Sequence, residues 1–332
     1  MRTASKRQGV LGDWLATPPP LAALRVGPEP ARVDNVRFGT ASWTDRTLLA
    51  TRAFYPPTAN TPERRLRYYA RHFPVVEVDA TYYALPSPAH AVAWAERTPA
   101  DFAFGVKAYA ALTQHPLEPR RLDRDLLSEL PATLRARGRV YPRELPAVVL
   151  AELWSRFHAA LRPLRAAGKL AYVLFQMPKW FVPARESHAY LEALQARLPD
   201  TRIAVEFRQA GWMVEGRRER VLDALRRDGL VYVCVDEPQG TRASVPPLAA
   251  ATSEALAVVR FHGRRRAAWD KPGASTIERF GYLYRRDELA EWVGKIGDLS
   301  GRSREVHVLM NNCYRHYAVQ NAKELATLLQ AG

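Results

Sequence analysis

The alternation of short β-rich runs with amphipathic helices constrains this chain more than any other feature. Eight runs carry the β-branched and aromatic character of buried strands: "VRFGTAS" (36–42), "VVEVDA" (75–80), "FAFGVK" (102–107), "LAYVLFQM" (170–177), "RIAVEF" (202–207), "LVYVCVD" (230–236), "LAVVRFHG" (256–263) and "EVHVLMNN" (305–312). The helical segments between them have recognisable ends. Thr61-Pro62 and Ser87-Pro88 each set a capping residue before a proline at the first helical position. "RERVLDALRRDG" closes on glycine with arginines in its last turn. Strands separated by crossover helices pair in parallel, and eight parallel strands close a barrel. An open doubly wound sheet can carry a similar count, but no G-x-G-x-x-G follows the first strand and no P-loop occurs. The expected fold is α/β, a single (β/α)8 TIM barrel over residues 36–330.

Two segments depart from the pattern. Residues 1–35, with "ATPPP" and "GPEPARVDN", read as a loosely ordered, proline-containing extension. Residues 108–169, after the third strand, are too many for one crossover helix and form an insertion. It includes the basic run "LRARGRVYPREL" and a helix in "PAVVLAELWSRFHAALRPLRAAG". The insertion leaves from the strand end where barrel active sites sit, so it is either a wall or lid over the mouth or a surface elaboration.

Composition narrows the function classes. With 47% hydrophobic and 25% charged residues, the 332-residue chain has ample material for a large core. Cys234 and Cys313 are too few for a disulfide framework or a cysteine-based zinc site and read as buried free thiols. No apolar run approaches the roughly 20 residues that span a bilayer, and the N-terminal stretch lacks the apolar core of a signal peptide. Cytoplasmic residence and no membrane partner are expected. The net charge of +15 favours anionic partners, nucleic acid included. An arginine-rich proteome produces the same excess, so charge alone does not choose among them.

In a barrel, alternate residues point inward and those near the C-terminal strand ends line the mouth. The first strand offers Thr40 and Ser42 before Trp43, the second Glu77 and Asp79, the third Lys107 and the fourth Gln176. Glu206 and Arg208 share a face on the fifth, Asp236 ends the sixth, Arg260 and His262 share a face on the seventh, and Asn311 and Asn312 close the eighth. Every strand thus delivers a polar group at the same end. Buried charges cost several kcal/mol each unless paired, which favours a pocket over packing. Tyr82, Tyr83, Trp43 and Trp180 follow strand ends, where flat rings can stack on a ligand or serve as packing.

Metal and nucleophile chemistry have less in their favour. The eight histidines are scattered, with no H-E-x-x-H or H-x-H pair, so no cofactor is predicted. Glu77, Glu206 and His262 could still supply ligands to a single divalent metal. No G-x-S-x-G elbow occurs, and neither cysteine has a histidine partner in sequence.

Eight motifs in order, "GTASW", "FYPP", "VEVDATYY", "FAFGVK", "FQMP", "AVEFR", "VRFHGR" and "MNNCYRHYAVQNAKEL", resemble the YecE-like barrel family, domain of unknown function number seventy-two. The resemblance covers about residues 36–330. It implies a TIM barrel with a pocket at the C-terminal mouth and implies no reaction. It matches the family's motif residues to Glu77, Thr81, Tyr83, Glu206, Arg208, Arg260, His262, Asn311 and Asn312. The chain departs at Asp79, where asparagine is common, at Ser42, where glycine is common, and at Met310, where phenylalanine is common. "TQH" (113–115) also replaces a more usual Thr-His pair.

The first expectation is an enzyme of hydrolase or isomerase type, doing acid/base chemistry on a polar anionic or phosphorylated small molecule. Glu77, Glu206 and His262 are its candidate catalytic groups. Lys107, Arg208, Arg260, Asn311, Asn312, Tyr83 and Trp43 are its candidate ligand-binding residues. A nucleic-acid-binding or nucleic-acid-processing protein and a non-catalytic ligand-binding module are the alternatives. Substrate and oligomeric state are not encoded in any motif.

Overall fold

A computed structural model describes residues 31–241, 243–271 and 273–332. Most of the N-terminal extension, residues 1–30, lies outside the described residues.

Nine strands form one sheet. A two-residue strand β1 (Arg32–Val33) makes an antiparallel hairpin with β2 (Val36–Ala41). The next strands are β3 (Val75–Val78), β4 (Ala103–Lys107), β5 (Leu170–Gln176) and β6 (Ile203–Glu206). They are followed by β7 (Leu230–Asp236), β8 (Ala257–Phe261) and β9 (Val306–Met310). Neighbours from β2 to β9 pair in parallel, and β9 returns to pair with β2, so the eight parallel strands close a (β/α)8 barrel. The short hairpin reaches into the stretch read as extension: the Ala31 N–H donates to the His72 carbonyl at 3.0 Å, tying residues 31–35 to the barrel.

The helices start where the sequence signals place them. Thr61 and Ser87 cap the helices Pro62–Ala70 and Pro88–Glu96, their hydroxyls accepting from the backbone N–H of Arg64 and His90. The helix Arg218–Arg227 ends before Gly229, which takes a left-handed φ of +67°. "RRDELAEWVGKI", which reads as one helix, is two, Arg286–Ala290 and Val293–Ser300. The break falls at Trp292, whose Nε1 donates to Asp236 Oδ2 at 2.7 Å. Among the described residues, no helix carries the chain from β7 to β8.

The long connection after β4 divides in two. Its last part, Ala147–Ala166, is the crossover helix, burying Leu153, Phe157, Leu161 and Leu164. The preceding segment, folded on itself through a Leu117–Val140 bridge, stands beside the mouth. Its His115 and Tyr141 rings meet Trp180, and the Tyr190 hydroxyl donates to the Leu112 carbonyl.

Candidate functional site

Glu77, Glu206, Arg260 and His262 converge inside the barrel near its C-terminal end, each no more than 1% exposed. The Arg260 guanidinium lies between the two glutamates. Its Nη2 donates to Glu77 Oε1 at 2.6 Å, and its Nη1 donates to Glu206 Oε2. Glu206 Oε1 accepts three further bonds, from Gln176 Nε2 at 2.6 Å, Arg208 Nη1 at 3.0 Å and His262 Nε2 at 3.1 Å. A carboxylate has about four lone-pair sites, so Glu206 is saturated. Burial alone would raise its pKa, but Arg260, His262 and Arg208 hold it well below the usual carboxylate range.

The same contacts fix the His262 tautomer. Its Nε2–H donates to Glu206 while Nδ1 accepts from the Asn311 amide at 2.8 Å. Burial pushes the imidazole down to about 4 despite the neighbouring carboxylate, so it is neutral at physiological pH. Tyr172 completes the cluster, its hydroxyl 3.3 Å from Glu77 Oε2. Its ring fills the space above Gly105, where any Cβ would collide with it.

This geometry bears on three expectations. Glu206 is fully buried and already accepts four bonds from side chains of the barrel, three on Oε1 and one on Oε2. Arg260 is an internal counter-ion and not an exposed anion-binding group. A divalent ion at Glu77, Glu206 and His262 would have to enter where the guanidinium already sits. Among the described residues, no group of three or more His, Cys, Asp or Glu side chains is arranged to hold a metal.

Above this layer stand Lys107 and Asp79, both half-buried. Neither side chain forms an ion pair within 4.0 Å among the described residues, and the Asp79 carboxylate accepts from its own backbone N–H. The Lys107 Nζ lies 4.6 Å from the centre of the Tyr82 ring. Burial, with Arg260 close by, lowers Lys107 to about 8. Burial raises Asp79 to about 6, against the pull of Lys107 and with the push of Glu77. Glu77 lies within β3, whereas Asp79 is the first residue past it and has left the extended conformation, so strand alternation does not fix its direction. Thr81 fixes the turn that follows, donating to the Lys107 carbonyl at 2.5 Å.

The remaining candidates separate. Arg208 stays at the mouth, 4.5 Å from the centre of the Trp269 ring. Tyr83 is at the rim. Asn312 turns away, its amide donating to the Tyr282 carbonyl at 2.8 Å and to Asn321 Oδ1 at 2.9 Å, so it ties two loops together. Trp43 is 8% exposed and packs edge-to-face on Trp94. Thr40 bonds Tyr69 in the helical layer. Ser42, where glycine is common in the resembled family, takes a φ of +89°, a conformation that favours glycine.

Asp236 also leaves the pocket. It accepts from Tyr284, Trp292 and Arg264 in the outer layer, and the next residue, Glu237, faces Arg208 across 3.7 Å. Burial raises the Glu237 carboxyl to about 8. His115, from the insertion, is a second group not selected from sequence. Burial and the cations Lys107 and Arg208 push it down to about 3. Its position after a long loop carries no periodic signal; Glu237 was identifiable only as the first residue past a strand.

Both cysteines are free, and no helix among the described residues is long and apolar enough to cross a membrane. The arginine clusters are interleaved with carboxylates: Arg226 with Asp223, Arg227 with Asp228, Arg264 with Asp236 and Glu291, and Arg285 with Asp287.

Comparison with known proteins gives the same barrel from end to end. UPF0759 protein YunF of Bacillus subtilis is 33% identical over 297 residues, which is 89% of this chain and 94% of that protein. UPF0759 protein YecE of Escherichia coli strain K12 is 29% identical over 172 residues, 52% of each. The crystal structure of a DUF72 family protein from Enterococcus faecalis V583 superposes with a TM-score of 0.70 at 25% identity, covering 89% of this chain and 95% of that one. A DUF72 family protein from Thermotoga maritima gives 0.68 at 28% identity, covering 89% and 99%. With the model of the family described as "Protein of unknown function DUF72" matching residues 37–332, this chain belongs to that family, as its eight ordered motifs imply.

Proposed function

We propose that the barrel mouth binds an anionic or phosphorylated small molecule and moves a proton on it, with Lys107 and Asp79 as the working pair. One observation carries this reading: among the described residues these two side chains form no close ion pair, and they stand at about 8 and about 6, while the charges behind them are neutralised by one another. An acid and a base poised on either side of neutrality suit proton transfer at physiological pH. The Glu77–Arg260–Glu206–His262 cluster acts as a rigid polar frame, and Asn311 and Gln176 present amides beside it. Lys107 and Arg208 attract the anion, and Asp79 accepts or returns the proton.

The polynucleotide reading draws on the +15 net charge. Its arginine clusters, however, are paired with nearby carboxylates, which lowers the local field. A thermal-shift screen of phosphorylated and carboxylated metabolites tests the small-molecule reading. At least one should raise the melting temperature of the wild type and leave Lys107→Ala unmoved. Silence across the panel, beside nucleic-acid binding that weakens steeply with salt, would replace it with the second reading.

A further inference from the structure

The polar mouth continues outward past Lys107 along a run of rings. From Tyr82 it passes to His115 at 5.2 Å between centroids, to Trp180 at 5.6 Å and to Tyr141 at 6.1 Å. The Arg143 guanidinium closes the run, 5.4 Å from the Tyr141 ring centre. Two cavities flank Trp180. One, of about 300 Å³, is lined by Tyr82, Tyr83, His115 and Arg139; the other, of about 410 Å³, by Tyr141, Arg143 and Tyr190.

Among the described Phe, Tyr and Trp side chains, two are largely exposed, Tyr83 at 56% and Trp180 at 53%. Both line the 300 Å³ cavity. Packing does not account for two large flat rings left in water on the walls of one cleft. Its charge is complementary to an anion. Arg139 has no hydrogen-bond or ion-pair partner among the described residues. The carboxylate in the cleft, Glu118, is already engaged by Arg120 and Arg121. Rings that stack and cations that hold phosphate together recognise a base carrying a phosphate. A sugar phosphate would engage Lys107 and leave the rings unused.

We propose that this cleft is a stacking subsite for a nucleobase and that the ligand of the mouth is a nucleotide. The base lies against Trp180 and Tyr83, and the phosphate is directed to Lys107. This assignment rests on the reading of the mouth as an anion site and names the ligand class for it.

Calorimetric titration of the full chain with adenosine monophosphate and with ribose 5-phosphate separates the two claims. The nucleotide should bind about tenfold tighter or more, the typical effect of stacking one base. Trp180→Ala should remove that advantage and leave the affinity for ribose 5-phosphate unchanged. The side chain is exposed, so an unchanged melting temperature verifies folding, and Tyr83→Ala provides a second variant. Equal affinities for the two compounds, insensitive to Trp180→Ala, would overturn the nucleotide assignment and leave the anion site standing. Binding of neither would overturn both. Tighter binding of a single-stranded oligonucleotide than of the mononucleotide, with a steep salt dependence, would overturn it in favour of a polymer.

Discussion

Glu206 and Asp79 are both carboxylates near the ends of barrel strands, and their surroundings give them opposite characters. Glu206 is fully buried, accepts bonds from four side chains and is held well below its ordinary pKa. Asp79 is half-buried, accepts only from its own backbone N–H among the described residues, and is raised to about 6. The same contrast separates the two cations beside them. Arg260 is enclosed by Glu77 and Glu206, whereas Lys107 forms no such close ion pair among the described residues and lies over the Tyr82 ring. Burial penalises both carboxylates; what differs is the number of donors that compensate it. A saturated layer fixes geometry, and an unsaturated layer above it is left free to titrate.

The sharpest way to break this comparison is Arg260→Ala. It would leave two buried carboxylates facing each other, with a loss of about 3–5 kcal/mol in urea denaturation. A loss below about 1 kcal/mol would mean that the inner layer is not a frame. Lys107→Ala should do the reverse, abolishing binding of a phosphorylated ligand in calorimetry with little change in melting temperature.

A smaller effect should follow pH. Lys107 is cationic below about 8 and neutral above it, so anion affinity should be full at neutral pH and fall as pH rises through that value. Lys107→Arg should flatten the profile, because arginine keeps its charge throughout. Asp79 sharpens the stability side. Its folded pKa of about 6 exceeds the ordinary 3.8, so the folded state holds the proton more tightly than the unfolded chain. Stability therefore falls as pH rises from about 4 to about 6, and Asp79→Asn should melt higher than wild type at about pH 7 but not at about pH 4.

The smallest effect is expected at Glu237 in acid. Its folded pKa of about 8 exceeds the ordinary 4.5, so at about pH 4, where both states are protonated, Glu237→Gln should change stability by less than about 0.5 kcal/mol. As pH rises from about 4.5 to about 8 the variant should gain on the wild type, since the unfolded carboxyl ionises while the folded one keeps its proton, and the gain should level off above about 8. A large loss at neutral pH would show that Glu237 is ionised and paired with Arg208.

Much of the fold is legible because its signals are local. A hydroxyl before proline caps a helix wherever it occurs, and Thr61 and Ser87 do so here. The strands lie within one or two residues of their sequence boundaries because buried parallel strands are nearly continuous apolar runs. That same continuity hides which face is inward. Every residue of β7 is buried, so nothing in "LVYVCVD" tells that Asp236 turns to Tyr284 and Trp292 while Glu237 turns to Arg208. Asn311 and Asn312 pose the same question with identical side chains, and only the structure sends the first to His262 and the second to Asn321.

The sequence by itself determined the barrel, the end of it that is polar, and most of the residues gathered there. Tertiary structure alone decided which of those charges satisfy one another and which remain free. Pairing depends on distances of a few ångströms between residues as far apart in the chain as Glu77 and Arg260, and periodicity along a strand carries no such information.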